Sequence, residues 1–228
     1  MKFNFITVHP NIIEAYKEFG VFSSAEKKNL AEIKSINLRD FAADKHGSVD
    51  DYPFGGGDGM VIRPDVLSEA AKSITSDVIV FTGPSGKKFS QKDALELHDL
   101  AKKGKSITFV CGRFGGVDQR FIDKYVTHEY SLGDFVVSGG ELPSLLICDA
   151  VLRFEPGVLG NSESYEKDSF SEEFNGGLEF PLYTKPREFE GEGVPDVLLS
   201  GNHKKINEWR EEQSKKKTES LRPDLIKK

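Results

Sequence analysis

Two short runs, Val78-Ile79-Val80-Phe81 and Ile107-Thr108-Phe109-Val110, constrain this chain more than any other feature. Each is a continuous block of β-branched and aromatic residues, so a strand built from it needs cover on both faces, as in a parallel sheet. Between them, Ser90 to Lys102 carries leucines at 95, 97 and 100 behind a serine suited to an N-cap, which predicts a helix. The same rhythm runs on either side. Phe3 to Val8 reads as a strand, Asn11 to about Tyr16 as a short helix, and Ile33 to Leu38 alternates apolar and polar residues like a half-buried strand. Pro143 to Phe154 reads as a further helix, with proline near its first turn. The expected fold is α/β with a mostly parallel sheet.

Glycines gather where the strands should end: Gly55-Gly56-Gly57 with Gly59, Gly83 with Gly86, Gly112 with Gly115-Gly116, Gly133, and Gly139-Gly140. Loops beyond the carboxyl ends of parallel strands are where such sheets bind ligands, and glycine lets backbone approach a ligand closely. A repeated pattern of this kind predicts a ligand site. From Gly160 to Gly177 the periodicity dissolves into Asn, Ser, Glu and Gly, which reads as a long loop or linker. Ser200-Gly201-Asn202 then resembles a helix start, Lys204 to Lys217 a charged helix carrying Trp209, and Arg222-Pro223 its end. There are no internal repeats.

The net charge is −6, but it is unevenly spread. Gly201 to Lys228 holds nine Lys/Arg against five Asp/Glu, whereas Glu155 to Asp196 holds eleven acids against three bases. A basic tail behind an acidic segment permits RNA contact through the tail, although Lys215-Lys216-Lys217 also suits a solvated helix end. The two cysteines, Cys111 and Cys148, have no CxxC spacing, and no signal peptide or spanning segment is recognisable, so a cytoplasmic location is expected. Gly83-Pro84-Ser85-Gly86-Lys87-Lys88 lacks the spacing of a P-loop and reads as a tight turn leading into a helix. Gly112-Arg113-Phe114-Gly115-Gly116 is not a dinucleotide fingerprint, and the five histidines lack metal-ligand spacing. No metal site is expected from spacing.

Three stretches are far more specific. They are Tyr52-Pro53-Phe54-Gly55-Gly56-Gly57-Asp58-Gly59-Met60, Cys111-Gly112-Arg113-Phe114 running on through Gly116, Asp118 and Arg120, and Glu129 to Pro143 with its core SLGDFVVSGGELP. Together with Pro156-Gly157-Val158-Leu159-Gly160, Asp168-Ser169-Phe170, Tyr183-Thr184-Lys185-Pro186 and Val197 to His203, they closely resemble the bacterial tRNA (guanine-N1) methyltransferase family. That resemblance extends from the first strand to about Trp209-Arg210. It implies methyl transfer from S-adenosylmethionine to N1 of the guanine 3′ of the anticodon, position 37. It also implies a deep trefoil knot, which topology rules alone would not suggest.

By match to the family, Phe81, Thr82, Gly83, Gly112, Leu132, Gly133, Asp134, Phe135, Val136, Val137, Gly139, Gly140 and Pro143 should line the cofactor pocket. Asp168 matches the family's proposed general base, and Arg153 the residue that offsets negative charge building on the guanine. The resemblance further implies a homodimer with sites shared between subunits. It divides the chain into a knotted cofactor-binding domain over 1–160, a flexible interdomain linker over 161–180 and a small helical tRNA-contacting domain over 181–228. Two positions depart from the family pattern. Gly115 replaces a glutamate connected with guanine positioning, which leaves a role for magnesium open, and Lys185 replaces an arginine. The alternative readings of the sequence are a ribose 2′-O methyltransferase of the same fold and a non-catalytic RNA-binding protein.

Overall fold

The computed structural model describes residues 1–160 and 167–226. The chain falls into two compact units, Met1–Gly160 and Asn161–Lys228. In the first, five strands form one parallel sheet: β1 (Lys2–Thr7), β2 (Glu32–Asn37), β5 (Val78–Lys88), β6 (Ser106–Val110) and β7 (His128–Ser131), in the order β2-β1-β6-β5-β7. The short β3 (Asp50–Asp51) and β4 (Val61–Ile62) make a separate antiparallel pair. The expected α/β architecture with a parallel sheet is what the chain adopts.

The apolar runs take the central places. Every residue of β6 is buried, and β1 is buried from Phe3 onward. Strand β2 lies at the edge of the sheet, and of its residues only Ile33 is buried. Phe5 and Phe109 pair across β1 and β6 with their rings stacked at 4.9 Å. Ile6, Ile79, Phe81 and Val110 belong to a core with α3 (Pro64–Lys72) and α5 (Gln119–Tyr125), through Val66, Leu67, Ala70 and Phe121. On the other face α4 (Gln91–Lys102) and α6 (Glu141–Leu152) pack together, and α6 also meets α1 (Pro10–Lys17) and α2 (Gly20–Lys27). Burying side chains of this size contributes on the order of 2 kcal/mol each.

Helix α4 starts where its serine predicts. The Asp93 carboxylate, on the third residue of the helix, accepts from the Ser90 amide at 2.9 Å and from the Lys87 ammonium. The residues before it depart from expectation. Gly83 to Gly86 do not form a tight turn into the helix; they form an irregularity inside β5, between Thr82 and Lys87, both opposite Tyr130. Pairing then resumes through Lys88↔Ser131. Glycine makes this return possible, since a Cβ at Gly86 would lie 2.5 Å from the Tyr130 carbonyl carbon.

The second unit contains α7 (Asp196–Leu199), α8 (His203–Leu221) and a two-stranded hairpin of β8 (Glu188–Phe189) and β9 (Glu192–Gly193). Asn202 caps α8 by accepting from the Lys205 amide at 3.2 Å, and the helix stops before Pro223 as Arg222-Pro223 predicts. Of the segment 161–180, residues 161–166 lie outside the described residues. Leu178 is bonded to α8, its amide donating to Thr218 Oγ1 at 2.9 Å and its carbonyl accepting from Ser214 Oγ at 2.6 Å. Among the described residues no helix is long and apolar enough to cross a membrane.

Candidate active site

All five strands run the same way, so their carboxyl ends open on one edge of the sheet. The loop after β6 (residues 112–116), the irregularity in β5 and the loop between β7 and α6 (residues 132–140) meet there. Their approach reaches backbone contact. The Gly140 amide donates to the Gly112 carbonyl at 2.7 Å. A Cβ at Gly140 would stand 2.7 Å from the Gly112 nitrogen and 2.8 Å from the Cys111 Cα, closer than real Cβ atoms come. A Cβ at Gly139 would meet the Arg113 side chain, and one at Gly112 would press the Phe81 ring at 3.2 Å.

The structure therefore brings Phe81, Gly83, Gly112, Gly139 and Gly140 into one cluster, with Gly83 lying against both the Phe81 ring and Glu129. Thr82 belongs to the same strand end, and its buried hydroxyl has no partner among the described residues. Such an atom usually has one, so this is a place where a ligand group would complete the bonding. Leu132, Gly133 and Asp134 follow β7, and Gly133 sits at φ +151°, where a Cβ would fall 2.8 Å from the Phe135 ring. Phe135, Val136 and Val137 are 61%, 92% and 44% exposed along the loop, an apolar lip at the cluster's margin. Pro143 lies in the first turn of α6.

A network that sequence reading missed ties this edge together. Glu141, the first residue of α6, is fully buried and accepts from Thr7 Oγ1 at 2.6 Å and from Arg113 Nε at 2.9 Å. Arg113 Nη1 also donates to the Ser138 carbonyl at 3.2 Å. Thr7 and Glu141 stand 134 residues apart, and no local pattern announces such a pair. In the sequence Glu141 stands out only as part of the Gly139-Gly140-Glu141-Leu142-Pro143 motif.

The segment Tyr52 to Met60 joins the same edge through backbone bonds. The Gly115 amide donates to the Met60 carbonyl at 2.6 Å, and the Ile62 amide to the Gly116 carbonyl at 2.9 Å. Its aromatics face solvent, Tyr52 at 78% and Phe54 at 97% exposure. A Cβ at Gly115 would fall 2.9 Å from the Met60 oxygen, so this loop is built around the absence of a side chain there.

The two residues assigned chemistry lie in different units. Arg153 closes α6 in the first, its amide bonded to the Asp149 carbonyl at 3.1 Å. Burial pushes the Asp149 carboxyl up, and the nearby Arg153 charge offsets part of that. Asp168 is half-buried in the second unit, where its carbonyl accepts from the Ser171 amide at 3.2 Å. Among the described residues no three His, Cys, Asp or Glu side chains converge as a metal site.

Comparison with known proteins identifies a family. The family model described as tRNA (Guanine-1)-methyltransferase TrmD matches residues 1–228. A tRNA (guanine-N(1)-)-methyltransferase of Staphylococcus carnosus (strain TM300) is 45% identical over 229 residues, covering 99% of this chain and 91% of the relative. The enzyme of the same name from Staphylococcus aureus (strain N315) is 44% identical over 231 residues, covering 100% of this chain and 91% of the relative. With a family match along the whole chain and relatives 44–45% identical over nearly all of it, the chain belongs to the tRNA (guanine-1)-methyltransferase family.

Proposed function

We propose that this protein methylates N1 of guanine 37 in tRNA, using S-adenosylmethionine. The whole-chain family match carries this reading. When bound, S-adenosylmethionine supplies a methyl group on a sulfonium, ready for in-line transfer. What supports the fit is the Thr82 hydroxyl, a buried polar group without a partner among the described residues, at the strand end where loops 112–116 and 132–140 cross. Phe81, Gly83, Gly112, Leu132, Gly133, Asp134, Phe135, Val136, Val137, Gly139, Gly140 and Pro143 complete the proposed pocket. The return of the chain from edge strand β7 to the middle of the sheet at Gly112 and Thr7 supports the knot that the family resemblance implies.

Neutral guanine carries a hydrogen on N1, so its nitrogen becomes a nucleophile only as that proton leaves. Asp168 takes the proton, and Arg153 balances the negative charge that develops on the ring. Position 115 is glycine where the family pattern has a glutamate, so magnesium keeps the open role that the resemblance gives it and no step is derived through it.

The active form is proposed to be a homodimer in the cytoplasm. Helix α6 is apolar nearly all round, and Leu142 and Leu146, one turn apart, are 59% and 57% exposed, an apolar face suited to a second copy. Residues 161–180 would link the domains, and the basic helical domain over 181–228 would contact tRNA phosphates. The test is incubation with labelled S-adenosylmethionine and tRNA transcripts carrying G or A at position 37, followed by nucleoside analysis. N1-methylguanosine from the G37 transcript alone is expected. A 2′-O-methyl nucleoside, or no product, would overturn the assignment.

A further inference from the structure

The buried Thr7–Glu141–Arg113 network serves neither methyl transfer nor the main core, yet it occupies the point where three chain segments meet. Glu141 is fully buried, as is Thr7, and the Arg113 side chain is 19% exposed. Removing a carboxylate and a guanidinium from water is costly, and an apolar pair of similar volume would often stabilise a fold as well or better. What the charged set supplies is direction. One Glu141 oxygen is held by the end of β1 and the other by the loop after β6, while Arg113 reaches on to the Ser138 carbonyl. The Arg113 side chain thereby lies across Gly139, where a Cβ would be 2.1 Å from its Nε. Next in the chain is Gly140, which donates to Gly112.

We infer that Glu141 is a positioning residue: through Thr7 and Arg113 it fixes the crossing of loops 112–116 and 132–140, and so the shape of the cofactor pocket. This rests on the proposed pocket being where S-adenosylmethionine binds. Glu141 touches no reacting atom; it acts through Arg113 and the backbone of residues 138–140. The effect should therefore fall on cofactor affinity and leave the methyl-transfer step at saturating cofactor largely intact.

The test uses full-length protein and three variants. Thr7→Val removes the hydroxyl that donates to Glu141 and accepts from the His9 amide at 2.9 Å, Thr7→Ser restores both bonds, and Glu141→Gln removes the charge facing Arg113 while leaving the His9 bond in place. Losing a hydrogen bond to a charged group predicts an increase of about tenfold in KM for S-adenosylmethionine and in the calorimetric Kd for S-adenosylhomocysteine. For Thr7→Val, kcat should stay within about twofold of wild type and KM for tRNA unchanged, with Thr7→Ser restoring affinity. Glu141→Gln should show the same pattern if it folds, and Thr7→Val keeps the question answerable if it does not. Gly140→Ala serves as the control for the pocket itself. If Gly140→Ala loses the cofactor while Thr7→Val keeps normal affinity, the inference about Glu141 is wrong and the pocket stands. If Gly140→Ala also binds normally, it is the pocket assignment that fails. Loss of kcat and of affinity for both substrates in Thr7→Val, not rescued by Thr7→Ser, would mean a general structural role and would also overturn the inference.

Discussion

Single atoms decide what positions 115 and 140 can hold. At Gly140 even a methyl group would meet the backbone of Cys111 and Gly112, so Gly140→Ala must separate the two loops. A loss of at least about tenfold in S-adenosylmethionine affinity is expected, with overpacking costing about 1–3 kcal/mol of stability. Calorimetry and thermal unfolding measure the two effects separately. Gly115 is a different case, because the obstacle is a single carbonyl, that of Met60, 2.9 Å from where a Cβ would be. Restoring the family's glutamate by Gly115→Glu should thus break the Gly115–Met60 bond and lower thermal stability before it can benefit catalysis. An unchanged unfolding temperature with higher turnover would show that the loop accommodates the side chain freely. The glycine clusters themselves were legible in the sequence. Which backbone each one lies against was not, since that depends on partners far away in the chain.

Two carboxylates on neighbouring helices give opposite pH signatures. Burial would push the Asp93 carboxyl up, but the bonds from Lys87 and Ser90 outweigh it and hold it below the usual carboxylate range. Its contribution to stability is therefore present at neutral pH and lost as pH falls through the depressed folded value. Asp93→Asn should lower the unfolding temperature at pH 7, costing about 1–2 kcal/mol as a weakened cap and lost ion pair, and the gap to wild type should close in acid. For Asp149 on α6, burial raises the carboxyl, only partly offset by Arg153. The folded state then binds the proton more tightly than the unfolded chain, so stability falls as pH rises from the usual carboxylate value through the raised one. Asp149→Asn should unfold at a higher temperature than wild type at pH 7, with the advantage gone once Asp149 is protonated in both states. A pH-independent difference in either variant would point to packing instead of charge.

At the level of the whole molecule, Arg153 and the glycine crossing lie in Met1–Gly160, and Asp168 lies in Asn161–Lys228. If the proposed homodimer shares its sites, a chain with a broken pocket and a chain with a broken base can complement each other. Mixing inactive Gly140→Val and Asp168→Asn homodimers, and letting subunits exchange, should restore up to about a quarter of wild-type activity under random pairing. Mass spectrometry establishes that heterodimers form. Confirmed heterodimers without activity would rule out sharing while leaving the role of Asp168 open to separate test.

The sequence by itself determined the α/β class, the strands at Phe3, Ile33, Val78 and Ile107, the start of α4 at Ser90, the end of α8 before Pro223 and the family. These are local: apolar runs, caps, breakers and contiguous motifs are read within a few residues of one another. Only the tertiary structure decided that Gly83 to Gly86 are folded into β5, because the deciding contact is with the Tyr130 backbone. The same holds for the Thr7–Glu141–Arg113 network and for the meeting of Gly112 with Gly140. Each requires two segments to be brought together by the packing of a sheet and its helices, and a pattern read along the chain carries no record of that distance.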